Sequence, residues 1–204
     1  MGIEMRRIKK FSVYLMACTL LCLSNIANVY AYGGADSLIR KVDFRNFSYP
    51  GFWSKGHIKI KDGKLSTESK YCMSEYKIES VDYLDLTGDG KEEALVNVSA
   101  FTACGSSGVS QYFYIYTIRN GRLRLLWRFS TGSEGICGLK DFHIGKRELI
   151  FELFGDCRIG GIKFAGGGIE CCPEKYTRIR VAWNGQRFRE ISSKVFPYVQ
   201  GSGL

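Results

Sequence analysis

Proline is scarce in this chain of 204 residues, with three in all. There is also no low-complexity tract and no repeat of solenoid period, so nothing resembles a disordered linker and a single domain is expected. Histidine is scarcer still. His57 and His143 are the only two, they lie far apart, and no C-x-x-C pair accompanies them, so zinc has few ligands to draw on. No G-x-S-x-G elbow is present, and the stretch Gly105-Ser106-Ser107-Gly108 has the wrong spacing for one. Beyond residue 31 no apolar run approaches the roughly 20 residues of a spanning helix. Aromatic residues, by contrast, are plentiful at 14%, enough large side chains to fill a real core.

The first 31 residues read as a signal peptide. Arg6, Arg7, Lys9 and Lys10 form a basic region, residues 11–23 an apolar helical segment, and residues 24–31 a more polar stretch ending in Val29-Tyr30-Ala31. Cleavage is expected after Ala31, giving a secreted or periplasmic protein. Two alternatives stand beside it. Leu15-Met16-Ala17-Cys18 is similar to a lipoprotein box with lipidation at Cys18, and an uncleaved leader would be an N-terminal membrane anchor. Loss of the leader removes four basic residues and Glu4, so the net charge of +9 falls to +6. These charges are spread through strand-like segments, which suits a solvated surface better than a nucleic-acid footprint.

Cys72, Cys104, Cys137, Cys157, Cys171 and Cys172 remain in the region 32–204. An even number in an exported chain predicts disulfides, and six cysteines allow 15 connectivities among which the sequence does not choose. Adjacent Cys171 and Cys172 point to different partners, because disulfide geometry rarely closes between neighbours. The glycine-rich stretch 158–168 lacks the strand-to-helix setting of a phosphate cradle and reads as a long loop pinned by Cys157 and by Cys171 or Cys172.

Hairpins dominate the rest. Residues 111–118 (QYFYIYTI) and 123–129 (LRLLWRF) flank Asn120-Gly121, a dipeptide that accepts positive φ at both centres of a type I′ turn. Residues 176–183 and 186–191 flank Asn184-Gly185, and residues 57–61 and 64 onward flank Asp62-Gly63, in the same way. Apolar and charged residues alternate at 177–181 and 187–191, as in strands with one wet face. Residues 149–154 and 94–98 read as more buried strands, and residues 35–40 as one short helical turn. The expectation is an all-β, predominantly antiparallel domain at 32–204, a twisted sheet or sandwich too short for a complete propeller.

One segment carries chemistry. In D-L-T-G-D-G-K-E-E, Asp85, Thr87 and Asp89 occupy positions one, three and five of a calcium-loop pattern. Gly90 falls at the sixth position, the Lys91 carbonyl at the seventh and Glu93 at the ninth. Position twelve is Val96, so the bidentate glutamate of an EF-hand is missing. Two readings stand: a structural Ca2+ held by Asp85, Thr87, Asp89, Lys91 and Glu93, or a tight turn whose carboxylates cap backbone amides.

The segment resembles the single DxNGDGxxD/E loops of FG-GAP and VCBS-type β-repeats, with Thr87 departing from the usual Asn or Asp. Residues 42–50, 85–94, 114–132 and 171–188 together are similar to a group of small exported bacterial proteins of uncharacterised function. The resemblance implies an exported β fold and carries no activity with it.

The reading that follows is a non-enzymatic binding or interaction module with an unknown protein or cell-envelope partner. An exported hydrolase is one alternative, although His57 and His143 lack a nucleophile partner in any known motif and Asp82, Asp85, Glu92 and Glu93 are better explained by the loop. Another is binding of anionic polymer or nucleic acid through Arg119, Arg122, Arg124 and Arg128 beside Tyr112, Tyr114, Tyr116 and Trp127. Aromatics at period two are, however, more often one packed face of a sheet.

Overall fold

The computed structural model describes residues 37–51, 56–103, 107–133, 137–159 and 173–199. The expected signal peptide and its helix, Cys18, Cys104, Cys171, Cys172 and most of the glycine-rich stretch lie outside the described residues. Among the described residues no helix is long and apolar enough to cross a membrane.

A 3-10 turn at Leu38–Lys41 leads into strands β1 (Ser48–Pro50), β2 (His57–Lys59), β3 (Lys64–Glu68), β4 (Met73–Leu84), β5 (Glu93–Ala103), β6 (Ser107–Arg119), β7 (Arg122–Ser130), β8 (Leu139–Gly145), β9 (Glu148–Phe154), β10 (Lys175–Trp183) and β11 (Phe188–Pro197). All pairings are antiparallel. They form a five-stranded sheet in the order β3-β4-β5-β6-β7, a four-stranded sheet in the order β11-β10-β9-β8, and a small ribbon of β1 with β2. The expected antiparallel all-β architecture is therefore the observed one.

The alternation of β5 and β6 explains why the five-stranded sheet lies in the middle. A strand sends successive side chains to opposite faces, and both strands are apolar on each. Ala94, Val96, Val98, Ala100, Tyr112, Tyr114 and Tyr116 face one side, where Ile39, Phe44, Tyr49 and Ile60 of the N-terminal segment cover them. Leu95, Phe113 and Ile115 face the other, against Leu149, Phe151 and Leu153 of β9, Ile179 and Val181 of β10, and Phe188 of β11. Strands buried on both faces lose the wet/dry alternation. In β10 that alternation survives, with Thr177, Ile179 and Val181 buried and Arg178 and Arg180 exposed.

The three expected hairpin turns resolve differently in detail. At 120–121 both residues take positive φ, 51° and 69°, as a type I′ turn requires. At 184–185 only Gly185 does. There the Asn184 side-chain oxygen instead accepts the amides of Gln186 and Arg187, so the hairpin is closed by a side-chain cap rather than a primed turn. At 62–63 the turn forms with φ of 51° and 80°, but the flanking segments do not stay together. Beyond a single Lys61–Lys64 bridge, β2 pairs with β1 and β3 pairs with β4, because Ile58 and Ile60 are drawn into the N-terminal cover. The predicted hairpin is thus a crossing point between two sheets. Cys137 and Cys157 form a disulfide that joins the start of β8 to the end of β9, and Cys72 is also disulfide-bonded.

Candidate functional site at the turn end

The strand register gathers the connections β4–β5, β6–β7, β8–β9 and β10–β11 at one end of the two main sheets. Two contacts tie them together. Arg147 of the β8–β9 turn lies 3.4 Å from the Asp85 carboxylate, and Arg119 of the β6–β7 hairpin stacks over Trp183 at the end of β10, 5.7 Å from its ring.

The 85–93 loop is a lattice of hydrogen bonds built on its own carboxylates. Asp85 accepts the amides of Gly88 and Gly90 at 2.6 and 3.2 Å, and Asp89 accepts that of Lys91 at 2.9 Å. Glu93 is fully buried. One carboxylate oxygen accepts the Leu86 and Thr87 amides at 2.9 and 3.1 Å, and the other accepts the hydroxyls of Thr87 and Thr117, each at 3.3 Å. Gly88 has a φ of 80°, a conformation that strains any other residue, and a Cβ there would also displace the Arg147 guanidinium, 2.9 Å away. From outside, Arg40 of the 3-10 turn holds Glu92 through two bonds of 2.7 and 2.6 Å.

Burial is the largest influence on Glu93 and pushes its carboxyl above the usual range. The amide bonds oppose this, and the neighbouring Asp89 charge adds to the rise. Glu92 is held below the ordinary value by its bonds with Arg40.

This arrangement bears directly on the two readings of the loop. A calcium cage needs several oxygens converging on one point. Here Glu93 is turned into the sheet, Asp85 is already bonded to two amides and faces a guanidinium, and the described residues include no group of three or more His, Cys, Asp or Glu side chains placed to share a metal ion. As arranged, the loop's carboxylates cap backbone amides and close a turn. Thr87 and Lys91 act within it as hydrogen-bonding and backbone positions.

The second cluster lies on the β6–β7 hairpin. Cross-strand register sets Arg119 opposite Arg122 and Thr117 opposite Arg124, so the three arginines share the sheet face that carries Thr117. A bulge at Leu126 adds a residue to β7. Together Arg119, Asn120, Arg122, Arg124 and Leu126 line an open cavity of ≈ 490 Å³. None of the three guanidiniums has a carboxylate partner among the described residues.

The aromatic half of the expected basic–aromatic surface is elsewhere. Tyr112, Tyr114 and Tyr116 are buried under the N-terminal segment, where burial pushes the Tyr114 and Tyr116 hydroxyls well above their usual range. Trp127 packs against Phe129, Phe151 and Phe188 between the sheets, and Arg128 reaches the Gly51 carbonyl at 3.0 Å. Five members of the expected platform are thus structural, and Arg119, Arg122 and Arg124 remain at the surface. The two histidines do not meet: His57 lies at the edge ribbon, and His143 on β8 sits 3.0 Å from Asp141.

Sequence reasoning missed Arg147, Thr117 and Arg40. Thr117 had a signal in the Asn-Gly hairpin register, which fixes what lies opposite Arg124. Arg147 had none, since a non-glycine residue at a φ of 61° follows no pattern.

Fold and site together define a disulfide-linked β-sandwich with its chemistry concentrated in the turns at one end. No family model matches the chain, and no curated protein or solved structure matches it either.

Proposed function

We propose that the protein is an exported, non-enzymatic binding module whose recognition surface is the turn end of the sandwich. The observation that carries this reading is the cavity at that end, open to solvent and built on a hairpin whose backbone is fixed by the sheet behind it. Turns on a rigid scaffold are where binding residues concentrate, because their side chains are free of packing duties while their positions are held. The basic and apolar leader, together with cysteines joined as disulfides, supports an oxidising compartment outside the cytoplasm. The 85–93 loop serves this surface as a brace, tying the 3-10 turn through Glu92 and the β8–β9 turn through Asp85.

The test is to titrate solubilised cell-envelope material onto the isotopically labelled full chain and map the amide shifts. Changes confined to residues 85–91, 119–124, 145–148 and 184–187 are expected. Changes confined to the outer face of β8–β11, or none, would overturn the assignment of the surface.

A further inference from the structure

We infer that the Arg119–Arg122–Arg124 cavity binds a phosphomonoester on a sugar-sized body. This rests on the turn end being the recognition surface and names what that surface takes.

Electrostatics carries the argument. Like charges directly opposite one another across two strands are destabilising, yet Arg119 and Arg122 form such a pair and Arg124 follows on the same face. Elsewhere the fold relieves the same pressure. On the outer face of β8–β11, Arg178 meets Glu152 at 2.6 Å and Arg180 meets Glu148 at 2.6 Å. On the hairpin no carboxylate has been supplied, although the sheet has one to offer: Glu93 contacts Thr117, the residue opposite Arg124, and lies bonded to amides and hydroxyls instead. Three arginines without carboxylate partners lining one open cavity form a site whose missing charges come from outside.

The geometry narrows the chemistry. A guanidinium presents a planar fork of donors that matches two oxygens of a phosphoryl group, and several forks together favour a dianion over a single carboxylate. The ≈ 490 Å³ volume exceeds what a bare anion needs and falls within the range of small-ligand pockets. Asn120 adds amide donor and acceptor capacity at the rim, and Leu126 offers an apolar patch for a ring face. Stacking on Trp183 restrains Arg119 before any ligand arrives, which reduces the ordering cost of binding.

The site is assayed by calorimetry on the full chain with inorganic pyrophosphate, a hexose 6-phosphate and the unphosphorylated hexose, and by co-sedimentation with vesicles of anionic phospholipid. Binding of the hexose phosphate but not of the hexose is expected. Arg122→Ala and Arg124→Ala should each weaken it about tenfold or more, the loss of one charge-assisted bond. Arg122→Lys should fall between, keeping the charge but losing the fork. Lys59→Ala, on the β1–β2 ribbon and away from both the cavity and the turn end, should leave it unchanged. Unfolding midpoints of all four variants confirm that the sandwich persists. Saturation by vesicles with no response to the soluble phosphate would overturn the sugar-phosphate assignment in favour of a lipid headgroup. Absence of binding to every probe, or binding untouched by Arg122→Ala and Arg124→Ala, would overturn the site itself. If the turn-end residues still respond to envelope material while the phosphate probes do not bind, the recognition surface stands and only the ligand class fails.

Discussion

The two sheets use one sequence pattern in opposite ways. Strand β10 carries Arg178-Ile179-Arg180 and strand β7 carries Arg122-Leu123-Arg124, in each case with the arginines exposed and the apolar residue between them turned toward packed side chains. In the four-stranded sheet the neighbouring strand β9 supplies Glu148 and Glu152, and both arginines are bound in ion pairs. In the five-stranded sheet the neighbour β6 supplies Thr117 and Arg119, and neither arginine is paired. Whether a basic strand is structural or available is decided by the partner strand.

The same contrast governs the buried acids. Glu152 is 3% exposed and Glu93 is 0% exposed. For both, burial is the largest influence and acts to raise the carboxyl. At Glu152 the bonds from Lys140 and Arg178 together outweigh it, and the carboxyl is held below the usual range. At Glu93 only amides, hydroxyls and a neighbouring carboxylate are at hand, and burial prevails.

The strongest way to break this comparison is Glu93→Ala. It leaves the Leu86 amide and the Thr117 hydroxyl without partners in a buried site, and urea unfolding should show a loss of about 2–3 kcal/mol. Glu93→Gln keeps the shape and the acceptor and should cost well under half of that. Both outcomes should be indifferent to calcium or chelator. A calcium-dependent rise in midpoint that Asp85→Ala and Asp89→Ala abolish would instead establish a metal site there.

Glu152→Gln ranks next, at about 1–2 kcal/mol, because it removes a charge shared by Lys140 and Arg178, whose partial exposure screens the effect.

The two glutamates should also diverge with pH. With its folded value raised, Glu93 contributes stability that is fully present below the unfolded glutamate range, about 4.3, and lost as pH rises through the folded value. With its folded value lowered, Glu152 contributes stability that is present above that range and lost as pH falls through the folded value. The stability of wild type relative to Glu93→Gln should therefore decline as pH rises above about 4.3, while its stability relative to Glu152→Gln should hold above that pH and decline as pH falls below it. Parallel curves would dissolve the distinction.

The smallest effect is the most telling. Arg122→Glu should change stability by no more than about 0.5 kcal/mol, and toward stabilisation, since it relieves the repulsion from Arg119. Arg180→Glu should destabilise, because it sets a carboxylate against Glu148. Equal losses from the two would make the hairpin arginines structural after all.

Much of this was legible in the sequence. The Asn120-Gly121 turn, the buried runs of β5 and β9 and the alternation of β10 are local signals, and local chemistry decides them. The fate of Asp62-Gly63 was not legible, because the same turn serves a hairpin or a crossover depending on which sheet captures Ile58. At the 85–93 loop, spacing alone places oxygens for either an ion or backbone amides. The choice hangs on where Glu93 points, and Thr117, 24 residues further on, helps to set that. Tyr112, Tyr114 and Tyr116 looked equally suited to a stacking surface or a packed face until the segment that covers them was in view.

That covering segment has a consequence for the order of events in a newly made chain. Ile39, Phe44 and Tyr49 rest on Tyr114 and Tyr116, residues of a strand that begins more than fifty positions later. Synthesis from the N-terminus delivers the roof before the walls. Until β5 and β6 exist, the segment from Ile39 to Ile60 lacks the apolar face it rests on, and contacts this distant in sequence are slow to form. The earliest part of the described domain to be made therefore waits for the middle of the central sheet before it can settle.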